Sequence, residues 1–406
     1  MRPLATAGAL VLVLATQASP ARAQVAVYAD RVHTVSGAAI ANGVVLVGKD
    51  GKIERVGRAA DVQVPEGYRQ LRARVVTPGL IDAHSVVGLA GYANQPHDQM
   101  QVETSAPMQP ELRAIDAYNA RDPLVSWLRQ HGVTTLHTGH APAALVSGQT
   151  MIVKTRGDEV DEAVVTPVAM IAVTLGQNGL AGESKSPGTR AKAVALLRGD
   201  LIKAQRYARD TGGPEDKRPA RDLHLDALGR VLKKELPLLV TAHRVTDMAA
   251  ALRVAREFDI RIVLDGASEA YLLTDAIKAA GVPIILHPTM ARAGEDAENM
   301  SMETAATLRK AAIPFALQGG YETYVPKTRV VLFEAALAAA RGLTTDEALA
   351  SITIDAARIL GIDRRVGSLE PGKDGDLALF DGDPFEYTTH VTGVVIDGQV
   401  VSDTVR

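Results

Sequence analysis

Two rhythms of apolar and polar residues divide the chain. From residue 25 to 76, short β-branched runs alternate with turn signals: residues 44–47, then Asp50-Gly51, then residues 53–56, which predicts a hairpin. The C-terminus does the same, with short runs at 376–380, 391–396 and 400–401 around Asp397-Gly398 and no helix between them. The two chain ends are therefore expected to combine into one small β domain, residues 24–76 with 361–406. Between them, short apolar runs are each followed by ten or more residues of helical spacing, the signature of a parallel sheet with crossover helices. Residues 236–243 precede a helix over 246–258, 261–266 one over 269–280, 282–288 one over 302–312, and 313–320 one over 327–340. Adding 75–84, 132–138, 151–155 and 164–174 brings the strands to about eight, a barrel number, for the segment 77–360. Thr344 and Glu347 form a capping box that opens a last helix, predicted to reach Leu360 and stop at Gly361.

Composition narrows the chemistry. The 406 residues carry 44 Lys and Arg against 47 Asp and Glu, a formal charge of −3, so a basic nucleic-acid footprint is absent. No Cys occurs, which excludes thiol nucleophiles, disulfides and thiolate zinc sites and leaves any metal to His, Asp, Glu or a modified Lys. Residues 1–23 open with Arg2, run through an apolar stretch and close on Ala21-Arg22-Ala23, the pattern of a cleaved signal peptide. That stretch falls short of the roughly 20 residues that cross a bilayer. The expectation is a periplasmic or secreted protein without a membrane span, acting on a small molecule, with a homo-oligomer left open.

The most informative stretch is Thr77-Pro78-Gly79-Leu80-Ile81-Asp82-Ala83-His84, an apolar strand ending in His. It resembles the motif that closes the first barrel strand in the amidohydrolase superfamily and supplies two histidine ligands. Gly367-Ser368-Leu369-Glu370-Pro371-Gly372-Lys373-Asp374-Gly375-Asp376-Leu377 is similar to that superfamily's entry into its C-terminal β domain. Further likeness runs through residues 112–116, 132–135, 148–149 and 249–258, so the whole chain after residue 23 resembles the exported imidazolonepropionase-like branch. The resemblance implies a (β/α)8 barrel with a β-sandwich built from both termini. It also implies hydrolysis, usually of C–N bonds, by water bound to one or two divalent metals, with a carboxylate at the end of strand eight taking the proton.

Carried over residue by residue, the implied ligand set is incomplete. His84 fits the first histidine, but Val86 stands at the second. His243 fits the strand-five ligand, whereas Gly266 and Gly320 stand where strand six offers His and strand eight offers Asp. The bridging lysine is Lys154, or, in a competing alignment, its place is taken by Ala172. His137, His140 and His287 lie at strand ends on the same rim and are candidate replacements, with Asp82, Asp265, Glu269 and Glu322 as the neighbouring carboxylates. Two imidazoles fall short of the three protein ligands of an ordinary catalytic zinc.

Two expectations follow. One is a metal-dependent amidohydrolase with an altered, at most mononuclear site, zinc being the first choice, on His84 and His243. The other is a catalytically inactive barrel retained as a binding or assembly protein. Of the long loops, 176–189 is rich in Gly, Ser, Lys and Pro and is expected on the active rim, while the acidic 291–303 reads as solvated surface.

Overall fold

The computed structural model describes residues 24–181, 186–321 and 330–406; the segment read as a signal peptide and Glu322 lie outside them. Strands β1 (Val25–Val32), β2 (Ile40–Val47), β3 (Ile53–Arg58) and β4 (Arg69–Pro78) come from the N-terminal part. The ladder from β5 (Leu80–Ser85) through β6 (Val133–Thr138), β7 (Val146–Gln149), β8 (Met151–Lys154), β9 (Val164–Thr166) and β10 (Ile171–Thr174) follows. Next come β11 (Leu238–Ala242), β12 (Ile262–Gly266), β13 (Ile284–Leu286) and β14 (Phe315–Leu317), and finally β15 (Leu377–Phe380), β16 (Val391–Ile396) and β17 (Gln399–Ser402).

Seven strands from the two ends of the chain form one sheet in the order β17-β16-β15-β4-β1-β2-β3. The junction is β4, parallel to β1 and antiparallel to β15. The run 75–84, which reads as one strand, is divided at Gly79. Its N–H donates to Asp376 O, and a Cβ there would stand 2.2 Å from Thr134 Oγ1. Pro78 and what precedes it belong to the seven-stranded sheet, and Leu80 starts the barrel.

The barrel consists of two sheets, β5-β6-β8-β9 and β7-β10-β11-β12-β13-β14, which meet through a Ser85–Gly320 bridge and through Thr150 between β7 and β8. One segment differs in direction from the sequence expectation: β7 and β8, consecutive across Thr150, run antiparallel to β10 and β6 respectively and carry the chain from one sheet into the other, where an ideal barrel has a parallel strand. The predicted last helix is also interrupted, becoming Thr345–Ser351 and Ile354–Ile359, because the carbonyl of Ile352 turns out to accept the N–H of Ile81. The Thr344–Glu347 capping box forms as expected.

Inside the barrel the period of two sorts side chains into layers. Ile81, Ile152, Leu239, Val263, Ile285 and Ala316 make an apolar layer, sealed from below by Ala356, Ala357 and Leu360. Two residues further along four of these strands stand Thr241, Asp265, His287 and Gln318, all buried. This polar layer is the floor of the candidate site.

Candidate functional site

The floor is organised by Asp265, which is wholly buried and accepts three hydrogen bonds from three other strands or strand ends. His84 Nδ1 donates to Oδ1 at 2.9 Å, Gln318 Nε2 to the same oxygen at 2.9 Å, and Thr241 Oγ1 to Oδ2 at 2.7 Å. Burial alone would raise the proton affinity of Asp265, but the charge and hydrogen bonds of His84, Thr241 and Gln318 bring its pKa below the usual value. For His84, burial lowers the pKa while Asp265 raises it, and the carboxylate prevails. Its Nε2 is buried and without a hydrogen-bond partner. Asp82, on the same strand, is pushed up to about 7 by burial, only partly offset by the N–H groups of Gly319 and His84.

Above the floor, His243 follows β11 and is held at both ring nitrogens, Nδ1 at 2.7 Å from Ser268 Oγ and Nε2 at 3.1 Å from the Tyr321 hydroxyl. His287 follows β13. Its Nδ1–H donates to Pro288 O at 2.9 Å, its Nε2 is buried without a partner, and burial pushes its pKa down to about 4. Thr241, His243, Ser268, His287 and Tyr321 line a cavity of about 190 Å³ whose wall and roof come from residues 176–178 and 291–297.

That roof corrects the reading of 291–303 as a free solvated loop. Asp296 accepts the backbone N–H of Gln177 and is paired with Arg190 at 2.6 Å, and Arg190 also holds Asp247 at 3.0 Å. Asn299 Nδ2 donates to Glu269 at 2.8 Å, and Arg244 pairs with Glu298 at 2.9 Å. Arg190 opens the helix Arg190–Thr211, an element the sequence reading did not single out.

The other candidate ligands go elsewhere. Lys154 is at the opposite end of its strand from the rim: it stands across from Thr135, while Thr138 faces Met151. Its buried ammonium donates to Asp374 at 2.7 Å, Asp376 at 3.1 Å and Asp397, in the joint between barrel and seven-stranded sheet. Ala172, the alternative, offers only a methyl group. His137 is saturated, Nδ1 at 2.7 Å from Ala83 O and Nε2 at 2.7 Å from Thr150 Oγ1, and burial pushes its pKa down to about 3. His140 is buried with both nitrogens unpartnered and packs beside Gly148.

Do these donors fit a divalent cation? Val86 packs with Ala90, Ala141 and Tyr321 in an apolar cluster, so the second histidine position has become hydrocarbon. The Tyr321 ring lies 5.6 Å from that of His84 and its hydroxyl bonds His243, placing a phenol between the two retained histidines. A Cβ on Gly266 would stand 2.5 Å from His243 Cε1, so no side chain at 266 is compatible with the present His243. Gly320 spends its backbone on the bridge to Ser85. Among the described residues no three His, Asp or Glu side chains are arranged to hold a metal. The donor set does not fit the cation that the resemblance implies. What remains is an imidazole oriented by a carboxylate, a neutral imidazole presenting a lone pair, and a roofed cavity beside them.

Of the floor residues, the sequence reading named His84, Asp265 and His287 but missed Thr241 and Gln318. The signal was available in the period of two, because each sits two residues beyond an apolar inward position.

Comparison with known proteins gives a consistent lineage. Residues 316–401 match the model of the Amidohydrolase family. The chain is 25% identical over 364 residues to an imidazolonepropionase of Rhizorhabdus wittichii, covering 83% of this chain and 88% of that protein. It is likewise 25% identical over 378 residues to the amidohydrolase tasK of Hapsidospora irregularis, covering 84% of this chain but only 38% of that longer protein. Among solved structures, an amidohydrolase from Thermotoga maritima superposes with a TM-score of 0.88 at 27% identity, over 94% of this chain and 100% of that one. A zinc-bound adenosine deaminase from Xanthomonas campestris, 14% identical with a TM-score of 0.53 over 94% and 93%, shares the fold alone.

Proposed function

From the premise that the chain belongs to the amidohydrolase superfamily and is imidazolonepropionase-like, we propose that it is a barrel of hydrolase descent which has given up its metal centre and now binds a small polar ligand in the rim cavity. A hydrolase-like fold is common ground with its relatives. The observation that carries it is Tyr321, whose ring packs on Val86 and whose hydroxyl engages His243, in the space where metal ligands would converge. Fold persists under such a change because the apolar layer and its seal lie below the site and do not depend on a cation. We also propose export through residues 1–23 as a signal peptide, with the binding protein acting in the periplasm or outside the cell.

A second reading has one observation in its favour. His84 and His287 each bury an unpartnered Nε2, and with His243 they could complete a mononuclear zinc site if Tyr321 released its hydrogen bond. The two readings diverge in an assay of C–N hydrolysis on cyclic amides and N-acyl amino acids with and without added zinc. The binding reading expects no zinc-stimulated turnover. Turnover that appears with zinc and disappears in His84→Ala would reinstate the hydrolase.

A further inference from the structure

The rim cavity has a floor of one hydrogen-bonding polarity. His287 lines the cavity, turns Nδ1–H to its own backbone and keeps Nε2 as a buried lone pair without a partner. Thr241 has spent its only hydroxyl proton on Asp265, so toward the cavity it can only accept. Behind them, Gln318 uses its amide N–H on Asp265 and keeps a buried carbonyl oxygen without a partner. A floor of acceptors asks for a head group of donors. Amides and alcohols bring acceptor lone pairs of their own, for which His287 Nε2 and Thr241 offer no donor, whereas ammonium and amidinium groups carry donors only. In the roof Asp296 is paired with Arg190, and Glu295 lines the cavity with no ion-pair partner among the described residues. Arg292 lines the cavity too and is exposed, as Glu295 is, while Arg190 and Arg244 are engaged with Asp296, Asp247 and Glu298.

We propose that this cavity takes the head group of a small organic cation, an amidinium or a primary ammonium, with N–H donors directed at His287 Nε2 and Thr241 Oγ1. This rests on the reading that no divalent cation occupies the rim, since such a cation would repel the ligand. It goes further than that reading by fixing the sign and polarity of what binds.

Three probes of one shape separate the outcomes: benzamidine, benzamide and benzoate, titrated calorimetrically into the purified full-length protein near neutral pH. Benzamidine is expected to bind saturably and about tenfold more tightly than benzamide, a difference of one charge-assisted hydrogen bond, with benzoate weaker still. His287→Phe, which keeps the ring and removes the lone pair, is expected to weaken benzamidine by about tenfold while leaving the small residual binding of benzamide unchanged. Glu295→Gln, at an exposed position, provides an independent variant and should weaken benzamidine alone. Equal binding of the three probes, tighter binding of benzoate or benzamide, or no binding of benzamidine overturns the inference. Metal analysis of the same preparation keeps the two levels apart. A stoichiometric metal would overturn the proposed function, and failure of benzamidine in metal-free protein would overturn this inference alone.

Discussion

Two buried clusters of ionisable groups lie at opposite ends of the barrel strands, and they are built to different standards. At the joint with the seven-stranded sheet, Lys154 meets Asp374, Asp376 and Asp397, while Lys52, Arg156 and Arg365 approach the same carboxylates from outside. For Asp374, burial is outweighed by Lys154, Lys52 and Arg365, and its pKa is held down to about 2. Opposite charges there are matched and close-packed, the requirement for a buried ion cluster to hold rather than disrupt a fold. At the rim, His84, His287 and Gln318 each keep a buried polar atom without a partner, and His287 lines the cavity, whereas the joint leaves one such atom, Asp376 Oδ2. Unsatisfied polar atoms are costly in a structural cluster but are what a ligand can use. Buried Asp is common to both ends, matched by Lys and Arg at the joint and by His84 at the rim.

The sharpest way to break the contrast is Lys154→Met, which keeps the stem and removes the charge. It leaves three carboxylates facing one another, and we expect a loss of about 3–5 kcal/mol in urea unfolding, as for other buried pairs broken on one side. Cavity ligands should bind the surviving folded fraction unchanged. A loss below 1 kcal/mol would mean that the joint is not the stabilising cluster.

Acid separates the clusters next. His137 and His287 have pKa values of about 3 and about 4 in the fold, so between about pH 6.5 and 4 the unfolded chain binds two protons that the native one does not. Asp82, at about 7, holds one proton in the native state that the unfolded chain has released. For these three groups the difference is one proton in favour of the unfolded chain, about 1.4 kcal/mol of stability lost for each pH unit lowered across that window. The lowered pKa values of His33, His131 and His140 act in the same direction and the raised ones of Asp376 and Asp247 in the opposite one. The contribution of Asp374 at the joint persists through it and is lost only as pH falls from about 4 through about 2. Urea melts in half-unit steps check this; a flat profile between 6.5 and 4 contradicts it.

A smaller effect is expected from Asp265→Asn. The amide still accepts from some of its three donors but withdraws the charge, at about 2 kcal/mol. The proton affinity of His84 should fall, because the carboxylate that raises it is gone, and an NMR titration of the His84 ring reads this directly. In the native protein the stabilisation from this pair is full below the ordinary histidine pKa and is lost as pH rises through the raised one. The smallest effect belongs to Asp296→Asn in the roof, about 1 kcal/mol or less for a partly exposed ion pair, accompanied by faster exchange of the Gln177 amide hydrogen.

How legible was all this in the sequence? The helix over 246–258, the one expected over 327–340 and described over 331–340, the cap at Thr344 and the strands at each chain end follow from local pattern, because period, capping and turn residues act within a few positions. The direction of β8 and the interruption at Ile352 do not, since both are set by partners far along the chain, β6 in one case and Ile81 in the other. In the site, the departures at Val86, Gly266 and Gly320 from the ligand pattern that the resemblance implies were readable as residue types. What fills their place was not: Tyr321 reaches His243 across 78 positions, and Asp265 reaches His84 across 181. Lys154 was ambiguous because a lysine on a strand looks the same whether it faces the rim or the joint.

The most direct test of the central claim is the metal content of the purified protein after equilibration with excess zinc and desalting, measured by plasma mass spectrometry. A rim filled by Val86, Tyr321 and the His243 hydrogen bonds should retain well below one equivalent of zinc, unchanged by His84→Ala or His243→Ala. One equivalent retained by the native chain and lost in both variants would contradict it.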